Sequence, residues 1–261
     1  MKKIPQDIIG DIAVLKFKKE ESAKSKKTKA NSFLKNNPSV KTVVEKTGKF
    51  SGRLRVQKTK HIAGIKTKTA VYKENGCIFK FDVDKTYFSS RLSNERKVTA
   101  DDISKLVKKK HSKILVMFSG IAPFPIVIAK KLKQQKKDFH IIAVEINKNA
   151  NKFAKENIQL NKLSEDITLI QKDVKKFAKN LKEKFDIIVM PRPNLKDTFL
   201  KEALHLSKSG TTIFYHGFGT EVDVLKEIKE NTQNKIGNIQ IRKAGDIAVQ
   251  KWRFLAKFKV K

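Results

Sequence analysis

The sequence predicts an α/β protein: a parallel-sheet domain preceded by a smaller, β-rich α+β domain. Three observations predict it. From Lys113 onward, apolar β-type runs alternate with amphipathic helical stretches, the rhythm of a parallel sheet. Before about residue 98, short strand-like runs dominate, two of them flanking Asn75-Gly76, a dipeptide suited to a tight hairpin turn. The chain has 261 residues, 39% of them hydrophobic, enough for one large domain and a smaller partner. The expected domains are 1–98 and 99–261.

In the N-terminal region Asp11 to Phe17 (DIAVLKF) and Lys41 to Glu45 (KTVVE) read as strands. After the Asn75-Gly76 turn, Phe79, Phe81 and Val83 alternate with Lys80 and Asp82, the pattern of a half-buried strand. Lys18 to Lys35 is rich in lysine and small polar residues, and reads as a surface helix or loop with little core of its own. In the C-terminal region the strands expected are Ile114 to Ser119, His140 to Ile146, Ile167 to Lys172, Phe185 to Met190 and Thr211 to His216. Ala150 to Leu160 and Lys196 to Leu206 read as amphipathic helices, and Ile239 to Ile247 with Trp252 to Val260 as a closing hairpin. Five βα units and a terminal hairpin are the layout of Rossmann-like class I methyltransferases, whose sites lie at the carboxyl ends of the strands.

Charge narrows the partners. Lys and Arg number 59 against 26 acidic residues, a formal charge of +33, which points to a polyanion and first to nucleic acid. Cys77 is the only cysteine, so disulfide frameworks and cysteine-rich zinc sites are excluded, and the sequence calls for no metal. No apolar run approaches the ~18 residues that span a membrane. Met1 to Gly10 does not resemble a signal peptide. A cytoplasmic monomer without membrane contact is expected.

Three polar signals fall at the ends of the first three strands of the larger domain. The first strand ends in Phe118-Ser119-Gly120-Ile121-Ala122-Pro123, where Gly120 lets a ligand approach the chain before the next helix. The second ends in Glu145-Ile146-Asn147, placing a carboxylate where ribose hydroxyls are commonly held. The third ends in Asp173-Val174, a carboxylate for an adenine amine and a backbone amide beside it. Each has a plainer reading, since strand-end acids also cap helices and single glycines also mark turns. Together they favour a nucleoside. The first turn lacks the GxGxxG spacing that a dinucleotide pyrophosphate needs, whereas S-adenosyl-L-methionine carries no phosphate and tolerates it.

Ahead of this turn stands Tyr87 to Arg96, YFSSRLSNER. With IIGDIAVL, KTVVEKTG, GRLRVQK, HIAG, KENGCIFKFDV, FSGIAPF, AVEIN and QLNK, it resembles the archaeal and eukaryotic tRNA (guanine-N1)-methyltransferases that modify the guanosine 3′ of the anticodon. The resemblance runs from Asp7 to about Gly219 and is most specific from KENGC to SNER. It implies S-adenosyl-L-methionine as cofactor and the tRNA anticodon stem-loop as partner. It also implies Glu95 as the base that takes the proton from guanine N1, Arg55 as support for the guanine, and Tyr87 and Arg91 around the methyl donor and target. Arg96, Glu145, Ile146, Asp173 and Val174 match cofactor-contact positions, and Phe118, Gly120 and Pro191 fall in the cofactor-binding turns.

The implied chemistry is coherent. Guanine N1 carries a proton at neutral pH, so methylation there needs a base, and an arginine can steady charge developing on O6. Anticodon-loop bases are already partly unpaired, which lowers the cost of extruding one. Taken alone, Glu95 also reads as a helix N-terminal charge beside Asn94. Three features depart from the family pattern. Pro191 stands where an asparagine is usual, and Asn194 comes three positions late. Val116 and Met117 occupy the first strand where an acid is usual. An extra N-terminal domain common in the family is not expected here. Loss of the asparagine opens an alternative, methylation of the tricyclic wyosine precursor (imG-14 to imG2) at the same tRNA position. Cytosine-C5 chemistry requires a cysteine nucleophile, and Cys77 beside a hairpin turn is a poor candidate. A non-catalytic RNA-binding module would explain the charge but not the aligned strand-end acids.

Overall fold

The computed structural model describes residues 6–48, 56–108, 111–233, 235–248 and 251–261. The chain divides into two compact units, Met1–Ser90 and Arg91–Lys261.

The first unit contains β1 (Gln6–Ile9), β2 (Ile12–Leu15), α1 (Ala23–Asn36), β3 (Thr42–Lys46) and β4 (Thr59–Gly64), with the strands in the sheet order β1-β2-β3-β4. β2 and β3 run parallel, so a crossover must join them, and α1 is that crossover. The lysine-rich stretch is therefore a helix, capped by the Ser22 hydroxyl, which accepts from the Ser25 amide at 3.2 Å. Ala30, Phe33 and Leu34 turn inward against Ala13, Leu15, Val43 and Ala63. Lys26 and Lys29 are paired with Glu45 and Glu21, each at 2.6 Å.

The expected Asp11 to Phe17 strand is shorter, and β1 precedes it, because Gly10-Asp11 forms the turn of a hairpin. Gly10 has φ +62°, and a Cβ there would lie 1.9 Å from the Val71 carbonyl oxygen. Asp11 Oδ1 accepts from the Val71 amide at 2.9 Å, which ties this turn to the second hairpin, β5 (Thr69–Glu74) and β6 (Cys77–Asp82). That hairpin turns through Asn75 (φ 48°) and Gly76 (φ 70°), as the sequence predicts. Phe79, Phe81 and Val83 are buried, and Phe88 packs 4.6 Å from the Phe81 ring. Asp82 is buried too, against the alternation, because its Oδ1 accepts from the Asp84 and Lys85 amides at 2.8 and 3.1 Å.

The second unit begins with α2 (Ser93–Leu106) and continues through β7 (Ser112–Met117), α3 (Pro123–Gln134), β8 (Phe139–Glu145), α4 (Lys148–Leu160), β9 (Ile167–Gln171) and α5 (Val174–Lys179). It ends with β10 (Phe185–Met190), α6 (Leu200–His205), β11 (Ser207–Gly219), α7 (Glu221–Thr232), β12 (Gln240–Ala248) and β13 (Lys251–Lys259). Its seven-stranded sheet has the order β12-β13-β11-β10-β7-β8-β9. β7 to β11 are mutually parallel, and β13 lies antiparallel between β11 and β12. The order reverses at β7 and β10, which opens a crevice at their carboxyl ends. Ile114, Leu115, Val116 and Met117 of β7 are each 0% exposed, as a central parallel strand covered on both faces requires.

Most element ends in this unit shift by a residue or two from expectation, and two elements differ by more. α6 starts at Leu200 rather than Lys196, because Asp197 Oδ1 accepts from the Phe199 amide at 3.0 Å and Phe199 sits at φ 56°. β11 runs to Gly219, because β13 pairs with it from Thr212 to Gly219. Among the described residues, no helix is long and apolar enough to cross a membrane, and no group of three or more His, Cys, Asp or Glu is placed to hold a metal ion.

Candidate active site

The second unit carries two polar clusters, the first at the carboxyl ends of β7, β8 and β9. Phe118, Gly120 and Ala122 take left-handed φ values of 57°, 56° and 67°, so the turn after β7 holds two non-glycine residues in an unfavourable conformation. Its neighbours fix it there. The Ser119 amide donates to Val144 O at 3.0 Å, the Gly120 amide to Glu145 Oε2 at 2.8 Å, and Asn157 Nδ2 of α4 to Ile121 O at 3.1 Å. Phe118 packs edge-on against Phe199 at 4.8 Å. Ser119 is buried, and its hydroxyl has no hydrogen-bond partner among the described residues.

Glu145 Oε1 accepts from the Asn147 amide at 2.8 Å. Burial pushes the Glu145 carboxyl above its ordinary range, and the amides of Asn147, Gly120 and Ile146 only partly oppose it. Ile146 is exposed, and Asn147 caps α4 by accepting from the Asn149 and Ala150 amides at 2.9 and 3.3 Å. Asp173 caps α5: its Oδ1 accepts from the Lys175 and Lys176 amides at 2.8 and 3.2 Å, while the Val174 side chain is buried beneath.

This crevice fits an adenosyl group. A carboxylate has about four lone-pair sites, and the Gly120, Asn147 and Ile146 amides do not fill them, so it can accept a further donor such as a ribose hydroxyl. The Ser119 hydroxyl is a buried polar atom that a ligand can satisfy. The glycine turn offers one amide to a carboxylate, not the row of amides a diphosphate needs.

The second cluster surrounds Glu95, in the first turn of α2 and 4% exposed. Arg242 of β12 grips it with both arms, Nη1 to Oε2 at 2.5 Å and Nη2 to Oε1 at 3.0 Å. The Thr99 hydroxyl donates to Oε1 at 3.0 Å, and His216 Nε2 of β11 lies 3.5 Å from the same oxygen. Burial alone would raise the Glu95 carboxyl, but His216 and Arg242 outweigh it and hold the group below its ordinary range. His216 is driven the other way. Its burial pushes the imidazole down, Glu95 resists, and Arg253 and Arg242 add to the fall, leaving it neutral at physiological pH. Arg96 is buried 6.0 Å over the Phe124 ring, which in turn meets His216 edge-on at 5.6 Å.

Glu95 lies in the first turn of α2, and its carboxylate also faces a cation from a distant strand. Arg91 is exposed, Tyr87 is half-buried in the first unit, and Arg55 lies outside the described residues. Pro191 is half-buried, and Asn194 is exposed. The inward residue of that loop is Arg192, which the sequence reading passed over. Its Nη2 reaches Glu227 Oε1 at 2.6 Å, its Nη1 donates to Leu195 O at 3.1 Å, and its guanidinium lies 4.9 Å from the Tyr215 ring and 5.1 Å from that of Phe218. His216 and Arg242 also escaped the sequence reading. An isolated histidine in an apolar strand and one arginine among many cations carry no local signal.

Residues 70–241 match the TRM5/TYW2 methyltransferase domain, and residues 4–67 match the TYW2 N-terminal domain. The chain belongs to the TRM5/TYW2 methyltransferase family. It is 31% identical to the Nanoarchaeum equitans tRNA (guanine(37)-N(1))/4-demethylwyosine(37)-methyltransferase Taw22, over 95% of this chain and 96% of that protein. It is 32% identical to the Pyrococcus abyssi tRNA (guanine(37)-N(1))-methyltransferase Trm5b, over 88% of this chain but 66% of that protein. The fold is similar to that of aTrm5 solved in complex with tRNALeu: the TM-score is 0.83 at 27% identity, covering 99% of this chain and 72% of that one. It is likewise similar to Methanocaldococcus jannaschii Trm5 in complex with adenosine, with a TM-score of 0.80 at 26% identity, covering 99% and 74%.

Proposed function

We propose that the protein transfers a methyl group from S-adenosyl-L-methionine to N1 of the guanosine 3′ of the anticodon in tRNA. The observation that carries this reading is Glu95, a buried carboxylate held ionised in the same unit as the Gly120–Glu145 crevice. When bound, the cofactor supplies an electrophilic methyl group on a sulfonium. Glu95 takes the N1 proton, the N1 electron pair forms the N–CH3 bond, and the carbon–sulfur pair stays with sulfur. Glu145 holds the ribose hydroxyls, with Phe118, Gly120, Ile146, Asp173, Val174 and Pro191 around the adenosyl group, and Arg91 and Arg96 toward the donor. Arg55 supports the guanine and Tyr87 shapes the pocket. The first unit binds RNA, and the enzyme works as a cytoplasmic monomer without a metal. The solved complexes of relatives with tRNA and with adenosine support both ligands.

A second substrate, the tricyclic wyosine precursor, is favoured by two observations: the relative matched over 96% of its length is named for both activities, and Pro191 brings no side-chain donor to the loop after β10. The test is mass spectrometry of nucleosides after reaction with unmodified tRNA transcript and, separately, with tRNA bearing the tricyclic base. N1-methylguanosine from the transcript is expected. Methyl transfer only to the tricyclic base would replace the first reading with the second, and no transfer to either RNA would end both.

A further inference from the structure

We propose that Arg242 is the positioning residue for Glu95, fixing it as an ionised carboxylate with Oε1 closed and Oε2 open, and that His216 closes the far side. This rests on the reading of Glu95 as the base. The donors divide unequally between the two oxygens. Oε1 faces Arg242 Nη2, the Thr99 hydroxyl and His216 Nε2, at 3.0, 3.0 and 3.5 Å. Among the described residues, Oε2 has Arg242 Nη1 alone, at 2.5 Å. With two lone pairs per oxygen, Oε1 is saturated and only Oε2 can receive a proton from a substrate.

The fork also fixes direction. Two parallel N–H···O bonds hold the carboxylate plane against the guanidinium plane, which one contact could not do. The His216 nitrogen that faces Glu95 has no hydrogen-bond partner among the described residues, so its place is set by Phe124 and the strand rather than by a bond of its own. The charged groups around the pair are Arg96 on α2, Arg242 on β12 and Arg253 on β13, and the α3 residue facing His216 is the uncharged Phe124. All three are cations, and Arg242 is the one paired with the Glu95 carboxylate. Loss of Arg242 removes part of what opposes burial at the Glu95 carboxyl, so the carboxyl rises although His216 remains.

The test is single-turnover methyl transfer to tRNA transcript across pH, using the full chain with S-adenosyl-L-methionine, for the wild type, R242Q, R242K, E95Q and E95Q/R242Q. In R242Q the acid limb should move to higher pH. Its rate at neutral pH should fall about tenfold, less than the roughly 10²-fold or more expected when a general base is lost outright, with cofactor affinity kept. R242K keeps the charge but not the fork, so its limb should stay near the wild-type position while its rate falls partway. In the E95Q background R242Q should cost nothing further, because Arg242 acts through Glu95. An unmoved acid limb in R242Q, a wild-type rate in R242K, or a further loss in the double variant would each overturn the positioning role while leaving Glu95 as base. Wild-type turnover in E95Q would instead remove the base reading beneath it. R242K keeps the test decisive if R242Q does not fold.

Discussion

Glu95 and Glu145 are both glutamates enclosed by the second unit, yet their surroundings push them in opposite directions. Glu95 meets polar side chains, and His216 and the Arg242 guanidinium hold it below the ordinary value of 4.5. Among the described residues Glu145 meets backbone amides alone, and burial carries it above the same value. Neutral dipoles soften a desolvated carboxylate, whereas a bidentate cation reverses its shift. The first environment suits a group that must be charged before a proton arrives. The second suits a socket that grips hydroxyl donors with its oxygens and meets a cationic cofactor. Environments that drive two acids apart assign them different work.

The largest test of this contrast is turnover. E95Q should lower methyl transfer about 10²-fold or more, the scale of a lost general base, with cofactor affinity retained by calorimetry; equal turnover would erase the distinction. E145A should do the reverse. Its cofactor affinity should weaken about tenfold, the loss of about 1.4 kcal/mol of hydrogen bonding, with a smaller change in the saturated rate. A further test is thermal unfolding. At pH 7, E95Q leaves Arg242 without its anion and should lower the midpoint by about 3–8 °C.

The smallest effect, and the most diagnostic, is how these stability differences change with pH. Glu95 has a depressed folded value, so its contribution is present above the unfolded value near 4.5 and disappears as pH falls through the lower folded one. The deficit of E95Q should therefore narrow on acidification. Glu145 has a raised folded value, so the wild type gains stability as pH falls toward 4.5. Any deficit of E145Q should widen over that interval. Differential scanning of the wild type, E95Q and E145Q from pH 7 down to about pH 3 reads both slopes, and slopes of the same sign would show that the two environments are alike.

Much of the fold was legible because it is periodic. Phe185 to Met190 was read to the residue, and the Asn75-Gly76 hairpin and the closing pair of strands lay where alternation and turn chemistry put them. The lysine-rich α1 was only half legible, since its inward residues are few and its helical state follows from the parallel pairing of β2 and β3. β1 was missed because it is an edge strand with three of its four residues exposed, and so shows no buried pattern. At the site, Glu95, Gly120, Glu145 and Asp173 were visible from motif and strand-end position. Asp173 spends its Oδ1 on the α5 cap, the plainer of the two uses considered. Arg242 and His216 were invisible because their meaning lies in distance across the sheet. Arg192 was hidden by its prolines: the loop was judged by the residue missing at Pro191, while its neighbour anchors it to Glu227.

The span between Glu95 and Arg242 also sets a timetable. They are 147 positions apart in the chain. At a synthesis rate of about 5–20 residues per second, about 7–30 s pass between the making of one and the making of the other. For that interval the nascent unit has a carboxylate with no fork to hold it, and β11 has no β13 beside it. A carboxylate whose fork comes from the last strands of a sheet is not held in its final place while the chain is still being made. Newly synthesised molecules thus gain this fork only after their final hairpin has closed.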